Sequence, residues 1–154
     1  GTTVSEITVP ATFRYHVDLH DEWFITSDGP RLLVLAPKIQ PSLPVAFDTA
    51  GVQKKTRAGW ARWDASDNLL ALEKTITDKL EQRSVDDETM SLVRENSREA
   101  VAKFIRRWLV DQGAWGDQQF EAIAVKFEGE EGSLSLEPST LDFTEPEPTT
   151  TVLP

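Results

Sequence analysis

The chain has 154 residues, 39% of them hydrophobic, with a net charge of −10 and a pI near 4.6. This length is typical of one compact domain with a buried core, and the acidic balance argues against general binding to nucleic acid or to anionic membranes. The absence of cysteine excludes disulfides and thiolate metal sites, and no run reaches the ~18 apolar residues of a membrane-spanning helix.

The opening segment alternates between apolar and polar residues. Every odd position from Ile7 to Leu19 is apolar or small, which predicts a strand with one buried face. Pro10 cannot donate a hydrogen bond, so we expect a sheet edge or a bulge there. A second strand is predicted at 22–26, and the turn SDGP follows. Because Pro30 has no N–H, we expect a loop longer than a tight two-residue hairpin.

The run RLLVLAP at 31–37 has apolar side chains pointing to both faces, which predicts a strand covered on both sides. The tail, a loop or a partner subunit would cover one of the two faces of this strand. A homo-oligomer is therefore a candidate assembly. The following stretch APKIQPSLP has closely spaced prolines and is expected to be extended and irregular.

Two helices are predicted next. The first has a plausible cap at Ser66 or Asp67 and an apolar stripe at steps of three and four residues, formed by Leu69, Leu72, Ile76 and Leu80. The second, at 85–112, begins with a capping box of Ser84 and Asp87, with a candidate break near Asn96 and Ser97. Its apolar band runs through Met90, Val93, Ala100, Val101, Phe104, Ile105, Trp108 and Leu109, and we interpret Trp108 as a core residue.

A last strand is predicted at 120–128, and beyond Gly129 the chain is acidic and rich in Pro and Thr. We therefore predict an α+β fold with a mainly antiparallel sheet and two helices packed on one face, in a single domain at 1–128. Residues 129–154 are predicted to form a partly ordered C-terminal tail.

Both histidines lie in the segment RYHVDLHDEW. On a strand, His16, Asp18 and His20 project from one face, but the two imidazoles are ~13 Å apart at ~3.3 Å per residue. They cannot share one ion, so these three residues are only weak metal candidates and we interpret them as a polar strand face.

Basic and aromatic residues interleave in QKKTRAGWARW. Lysine or arginine beside a flat aromatic ring can bind a single-stranded nucleic acid, a sugar or a membrane interface. We favour packing of the tryptophans into the core, and keep as the alternative an interaction surface formed by Lys54, Lys55, Arg57, Trp60, Arg62 and Trp63.

No catalytic pair of carboxylates can be assigned, because the separation of two acids across a cleft is not visible along the chain. The sequence has no phosphate-binding glycine loop, no G-x-S-x-G, no H-E-x-x-H and no calcium loop. We therefore predict no catalytic, cofactor-binding or metal residue and no cofactor. The stretch EGEEG at 128–132 is interpreted as a turn with solvated charges.

Residues 7–128 resemble an uncharacterised family of bacterial proteins that are predicted to be exported or membrane-anchored. The stretches LAPKIQPSLP and GWARW carry the resemblance most specifically, with the strands ATFRYHVDL and FEAIAVKF around them. The resemblance implies a domain on the extracytoplasmic side of the cell envelope whose N-terminal anchor lies outside this sequence, and it implies no functional residue.

The preferred hypothesis is a non-enzymatic, envelope-associated domain that binds a protein or envelope partner, or has a structural role, through the surface at 54–63. Nucleic acid is not expected as a partner, and contact with the membrane is expected only through the N-terminal anchor. The alternative is a hydrolase or metal-dependent enzyme that uses His16 or His20 with acids from other elements.

Overall fold

The computed structural model describes residues 6–56, 58–62 and 69–143. Within these ranges the chain forms two α-helices, α1 (Leu69–Ser84) and α2 (Asp87–Ile105), and a π-helical turn at Arg106–Val110. The strands are β1 (Glu6–Thr8), β2 (Ala11–Thr12), β3 (Tyr15–His16), β4 (Phe24–Asp28), β5 (Arg31–Ala36), β6 (Gln40–Pro41), β7 (Ala46–Phe47), β8 (Gln53–Thr56), β9 (Gly59–Arg62), β10 (Ala122–Phe127) and β11 (Leu141–Asp142).

The predicted α+β class with mainly antiparallel pairing is confirmed. Every strand pair in the described residues is antiparallel except β5 with β10, which run parallel. The chain divides into two compact units. The first unit holds the described residues of Gly1–His16 and Gln40–Ser91, and the second holds those of Val17–Ile39 and Leu92–Pro154.

The opening segment alternates in burial as predicted from Val9 to Val17, where odd residues are half-buried and even residues are exposed. At the two ends the prediction is wrong, since Ile7 and Leu19 are exposed. It is nevertheless not one strand, since β1, β2 and β3 pair separately with β8, β7 and β6. The first interruption lies at Pro10, whose ring packs so closely on Gly51 that a Cβ there would lie 2.6 Å from the Pro10 Cγ. The carbonyl of Pro10 accepts a hydrogen bond from the Asp48 N–H at 3.0 Å.

Helix α1 closes the core of the first unit. Its predicted stripe is confirmed for Leu72, Ile76 and Leu80, which are buried together with Val45 and Val52. The side chain of Leu69 and both predicted cap residues, Ser66 and Asp67, lie outside what the structure describes. Helical spacing alone therefore identified the buried face of this helix correctly.

The second unit is built on a four-stranded sheet of order β11-β10-β5-β4. Strands β5 and β10 lie in its centre and are almost completely buried, which the apolar run predicted for β5, whereas for β10 only a strand was predicted. The expectation of a longer loop between β4 and β5 is wrong. Asp28 pairs directly with Arg31, so Gly29 and Pro30 form a two-residue hairpin loop. The φ angle of Gly29 is 58°, which with the fixed negative φ of proline matches a type II′ turn. In such a hairpin residue 31, not Pro30, supplies the closing N–H.

The start of α2 differs from the predicted capping box. The carboxylate of Asp86 accepts a hydrogen bond from the Thr89 N–H at 2.7 Å, so Asp86 is the N-cap. This hydrogen bond lowers the pKa of Asp86. Ser84 instead ends α1, where its buried hydroxyl donates to the Glu81 carbonyl at 2.6 Å.

Helix α2 continues without a break through Asn96 and Ser97, and its geometry changes only at the π-helical turn. The buried face of α2 also differs from the predicted band. Met90 and Ile105 of that band are buried as predicted, but Ala100, Phe104 and Trp108 are exposed, Trp108 at 56%. Arg98 and Ala102, which were not in the band, are buried instead. The interpretation of Trp108 as a core residue is therefore wrong, because Arg98, nearly three turns earlier, occupies the buried face and the π-helical turn changes the spacing after Ile105.

Part of the predicted tail belongs to the second unit. Residues Leu134–Leu136 form a 3₁₀ turn that contacts β5 and β10, and β11 pairs with β10. Residues 144–154 of the tail lie outside the described residues. In the described ranges, neither helix combines the length and apolarity needed to cross a bilayer.

Candidate functional site

The two histidines occupy different local structures. His16 lies on β3, and its Nδ1 is 2.9 Å from the Ser42 hydroxyl. His20 lies in a turn, where Asp18 accepts a hydrogen bond from its backbone N–H at 2.8 Å and lies 3.2 Å from its Nδ1. The prediction that all three residues project from one strand face is wrong for His20, because the turn folds it back onto Asp18. Over the described residues, no group of three or more His, Asp or Glu side chains is placed to hold a metal ion.

The predicted basic and aromatic surface lies on a three-stranded sheet of order β1-β8-β9. Residues opposite one another on neighbouring strands share a face, and so do residues two apart along a strand. The register pairs Glu6 with Lys55 and Lys55 with Trp60, and places Arg62 two residues beyond Trp60. We define the Trp60 face by the two rows on this side of the sheet, Glu6, Lys55 and Trp60 with Thr8, Gln53 and Arg62.

Trp60 is exposed over half of its surface, so the interpretation that it packs into the core is wrong. The Lys55 ammonium lies 5.9 Å from the centre of the Trp60 ring, at the distance of a cation–π contact. All six side chains of the Trp60 face are exposed. Lys54 belongs to the opposite face of β8, and Arg57 and Trp63 lie outside the described residues. Part of the predicted surface thus forms one continuous, solvent-facing patch.

The Trp60 face carries positive groups on an acidic protein. Lys55 and Arg62 are its cations and Glu6 is its acid, whereas the whole chain has a charge of −10. At physiological ionic strength charges more than about 8 Å apart are largely screened. A small ligand bound to this face would therefore interact electrostatically mainly with Lys55 and Arg62. A long polyanion would also be repelled by the acidic rest of the molecule.

A second cluster of charges lies inside the second unit and was missed in the sequence. Arg98 is 9% exposed and donates to the Val125 carbonyl at 2.9 Å, to Glu95 at 2.9 Å and to both carboxylate oxygens of Glu130 at 2.8 and 2.5 Å. Its guanidinium also lies 5.5 Å from the centre of the Phe127 ring. An arginine inside an amphipathic helix gives no sequence signal of burial, because its partners come from distant segments.

Glu130 corrects the interpretation of EGEEG as a turn with solvated charges. The turn is present, but the Glu130 side chain is only 17% exposed and also accepts a hydrogen bond from the Phe127 N–H at 2.8 Å. Burial raises the pKa of Glu130, but the hydrogen bonds from Arg98 and from the Phe127 N–H outweigh it and leave the pKa below its usual range. The same contacts with Glu130 raise the pKa of Arg98.

Beside this network, Lys126 is 4% exposed, and its ammonium donates to the Glu131 carbonyl and lies 3.8 Å from Glu137. A cleft of about 310 Å³ between α2 and residues 137–140 reaches Arg98. Both terminal nitrogens of Arg98 are already hydrogen-bonded to protein groups. We therefore assign this network to stability: it joins α2 to β10 and to the following turn.

Comparisons with protein-family models, with curated proteins and with solved structures gave no match. The candidate surface thus has to be judged on its own geometry, in which an exposed indole beside a lysine is the most distinctive feature.

Proposed function

We propose that this chain is a non-enzymatic, envelope-associated domain that binds a glycan of the bacterial envelope on the Trp60 face. The observation that carries the proposal is the half-exposed Trp60 beside Lys55 on a solvent-facing sheet. The envelope location rests on the resemblance of residues 7–128 to exported or anchored bacterial proteins.

A sugar ring suits this face chemically. The flat indole of Trp60 can stack on the apolar face of a sugar, and burying an aromatic ring is a large favourable contribution at interfaces. The Lys55 and Arg62 side chains are donors for sugar hydroxyls and carboxylates. A glycan of low charge density also avoids the repulsion that a net charge of −10 imposes on nucleic acid and on anionic membranes.

The test is co-sedimentation of the purified chain with bacterial cell-wall sacculi, repeated with phosphatidylglycerol vesicles and with single-stranded DNA. We expect binding to sacculi and displacement by soluble glycan strands. The variant Trp60→Ala should bind sacculi at least about tenfold more weakly, because aromatic residues often contribute a large share of the free energy of binding at an interface.

Trp108→Ala is the matched control. Trp108 is also exposed and also has a cation near its ring, with the Arg107 guanidinium at 5.7 Å, but it lies in the second unit. The Trp108→Ala variant should bind sacculi as tightly as the unaltered chain does. Equal loss in both variants, or binding only to vesicles or DNA, would contradict the proposal.

The envelope location has its own test. The full-length gene product, carrying a C-terminal tag, should be found in the envelope fraction and should be degraded by protease added to cells with a permeabilised outer layer. Recovery in the cytoplasmic fraction would contradict this part of the proposal and leave the binding experiment unaffected.

A further inference from the structure

A groove of about 480 Å³ lies between β1 and α1 in the first unit. Its α1 side is formed by residues from Leu72 to Arg83 that repeat every three or four positions, so the groove follows one face of the helix for ~16 Å at ~1.5 Å per residue. The floor is apolar and continuous with the core, because Leu72, Ile76 and Leu80 belong to both.

Strand β1 and the residues after it line the other side of this groove through Glu6, Ile7 and Val9. Among the described strands β1 pairs with β8 alone, so within the described residues its other edge has backbone N–H and C=O groups without a ladder partner. An exposed edge of this kind accepts an added strand.

The rim of the groove is polar and mainly positive. Thr75, Lys79 and Arg83 lie one turn apart on α1 and are exposed, and Glu6 is the acid on the opposite side. An occupant with one carboxylate would be attracted by the two cations of α1. An occupant with apolar side chains at alternate positions would place them on the floor.

We propose that the groove between β1 and α1 binds an extended peptide, which adds as a strand to β1, places alternate apolar side chains over Leu72, Ile76 and Leu80, and directs a carboxylate to Lys79 and Arg83. About five residues of extended chain span the ~16 Å of the groove at ~3.3 Å per residue. A fatty acid is the competing occupant, but its hydrocarbon would leave the polar edge of β1 without hydrogen bonds, which is costly. This site shares Glu6 with the Trp60 face, but it does not depend on the proposed function.

The experiment is selection of a random heptapeptide library displayed on phage against the purified full chain, followed by titration of the synthesised consensus peptide. We expect apolar residues at alternate positions and at least one acid. In amide hydrogen-exchange NMR the peptide should slow exchange at residues 6–9, because new hydrogen bonds form on that edge.

Three exposed positions on α1 supply the variants, so that the core is left intact. Thr75→Arg narrows the groove and should lower the affinity for the peptide by about tenfold or more. Lys79→Glu should lower this affinity by about threefold to fivefold. Lys74→Glu has the same charge change on the same helix outside the groove lining and should have the smallest effect. Circular dichroism before titration would confirm that each variant is folded.

Three results would overturn the proposal. The first is a selection that yields no alternating, acid-containing consensus. The second is a consensus peptide that binds Thr75→Arg as tightly as the unaltered chain or leaves exchange at residues 6–9 unchanged. The third is binding of dodecanoate that is lost in Lys79→Glu while no peptide binds, which would assign the groove to a fatty acid.

Discussion

Arg98 on α2 and Glu130 in the turn after β10 form a paired ionic contact, with nitrogen–oxygen distances of 2.8 and 2.5 Å. Both side chains are largely buried, at 11% and 17% exposure, so the contact is only weakly screened by solvent. Because Arg98 also donates to the Val125 carbonyl, one side chain joins the helix, the central strand and the turn.

Removing one partner of this pair should destabilise the protein strongly. We expect Arg98→Ala to lower the free energy of unfolding by about 3–5 kcal/mol, since Glu130 would stay buried without its cation. Urea unfolding followed by circular dichroism measures this loss. Lys103→Ala, at the exposed pair with Glu99 on the same helix, is the control and should cost about 1 kcal/mol or less. Similar losses in both variants would show that Arg98 is not central to stability.

The lowered pKa of Glu130 predicts a dependence of stability on acid. The folded state binds the Glu130 proton less tightly than the unfolded state, whose glutamates titrate near ~4.3. The stabilisation is therefore present above the unfolded pKa and is lost as pH falls through the lower folded pKa. Urea unfolding at neutral pH and at successively lower pH, through the unfolded pKa of ~4.3 and below it, should show a smaller loss of stability in Glu130→Gln than in the unaltered chain. Parallel curves would contradict this prediction.

Tyr15 is the single tyrosine of the chain and reports on the first unit. Its hydroxyl donates to the Ser84 carbonyl at 3.0 Å, and burial, with the nearby Asp86 carboxylate, raises its pKa above the usual value. An ultraviolet titration should therefore find the phenol ionising later than a free tyrosine. Because the pKa is raised, the neutral phenol of Tyr15 stabilises the folded state. This contribution to the free energy of unfolding is present below pH ~10 and is lost as pH rises through the folded pKa. A normal pKa would contradict the burial of the phenol near Asp86.

Replacing Tyr15 by Phe tests the same contact without titration. The variant keeps the ring but leaves the Ser84 carbonyl without this donor, which should cost about 1 kcal/mol in the free energy of unfolding. Phe13→Leu, at the neighbouring half-buried position, is a control that alters packing and leaves the hydrogen bond in place. Its single tyrosine should keep the raised pKa.

The contact between Pro10 and Gly51 predicts coupling between two turns of the first unit. A Cβ at Gly51 would lie 2.6 Å from the Pro10 Cγ, so Gly51→Ala should destabilise the unit by about 1–3 kcal/mol through overpacking. Pro10→Ala removes the ring, and the double variant should recover part of the loss. A double-mutant cycle by thermal unfolding measures the coupling, and strictly additive effects would contradict it.

Local patterns predicted those features that depend on neighbouring residues alone. The alternation at 9–17, the stripe of Leu72, Ile76 and Leu80 and the buried strand β5 all appear as expected. The first two follow from a repeat of two or about 3.6 residues, which fixes the side of an element on which a side chain lies, and the third follows from an uninterrupted apolar run.

The features that were predicted wrongly depend on contacts between distant residues. Trp60 and Trp108 have the same apolar ring as a core residue, and only the position of their elements leaves them exposed. The interruption at Pro10 requires Gly51, and the burial of Arg98 requires Glu130 some thirty positions later.

The sequence by itself determined the α+β class, the position of both helices and the burial of β5 on two faces, because backbone geometry repeats with a fixed period and a continuous apolar run leaves neither face polar. The tertiary structure decided which charges are buried and which aromatic rings face solvent. It also decided which strands pair with one another, because pairing across the sheet depends on the whole chain and on no local repeat. Both proposed binding surfaces belong to this second class of features.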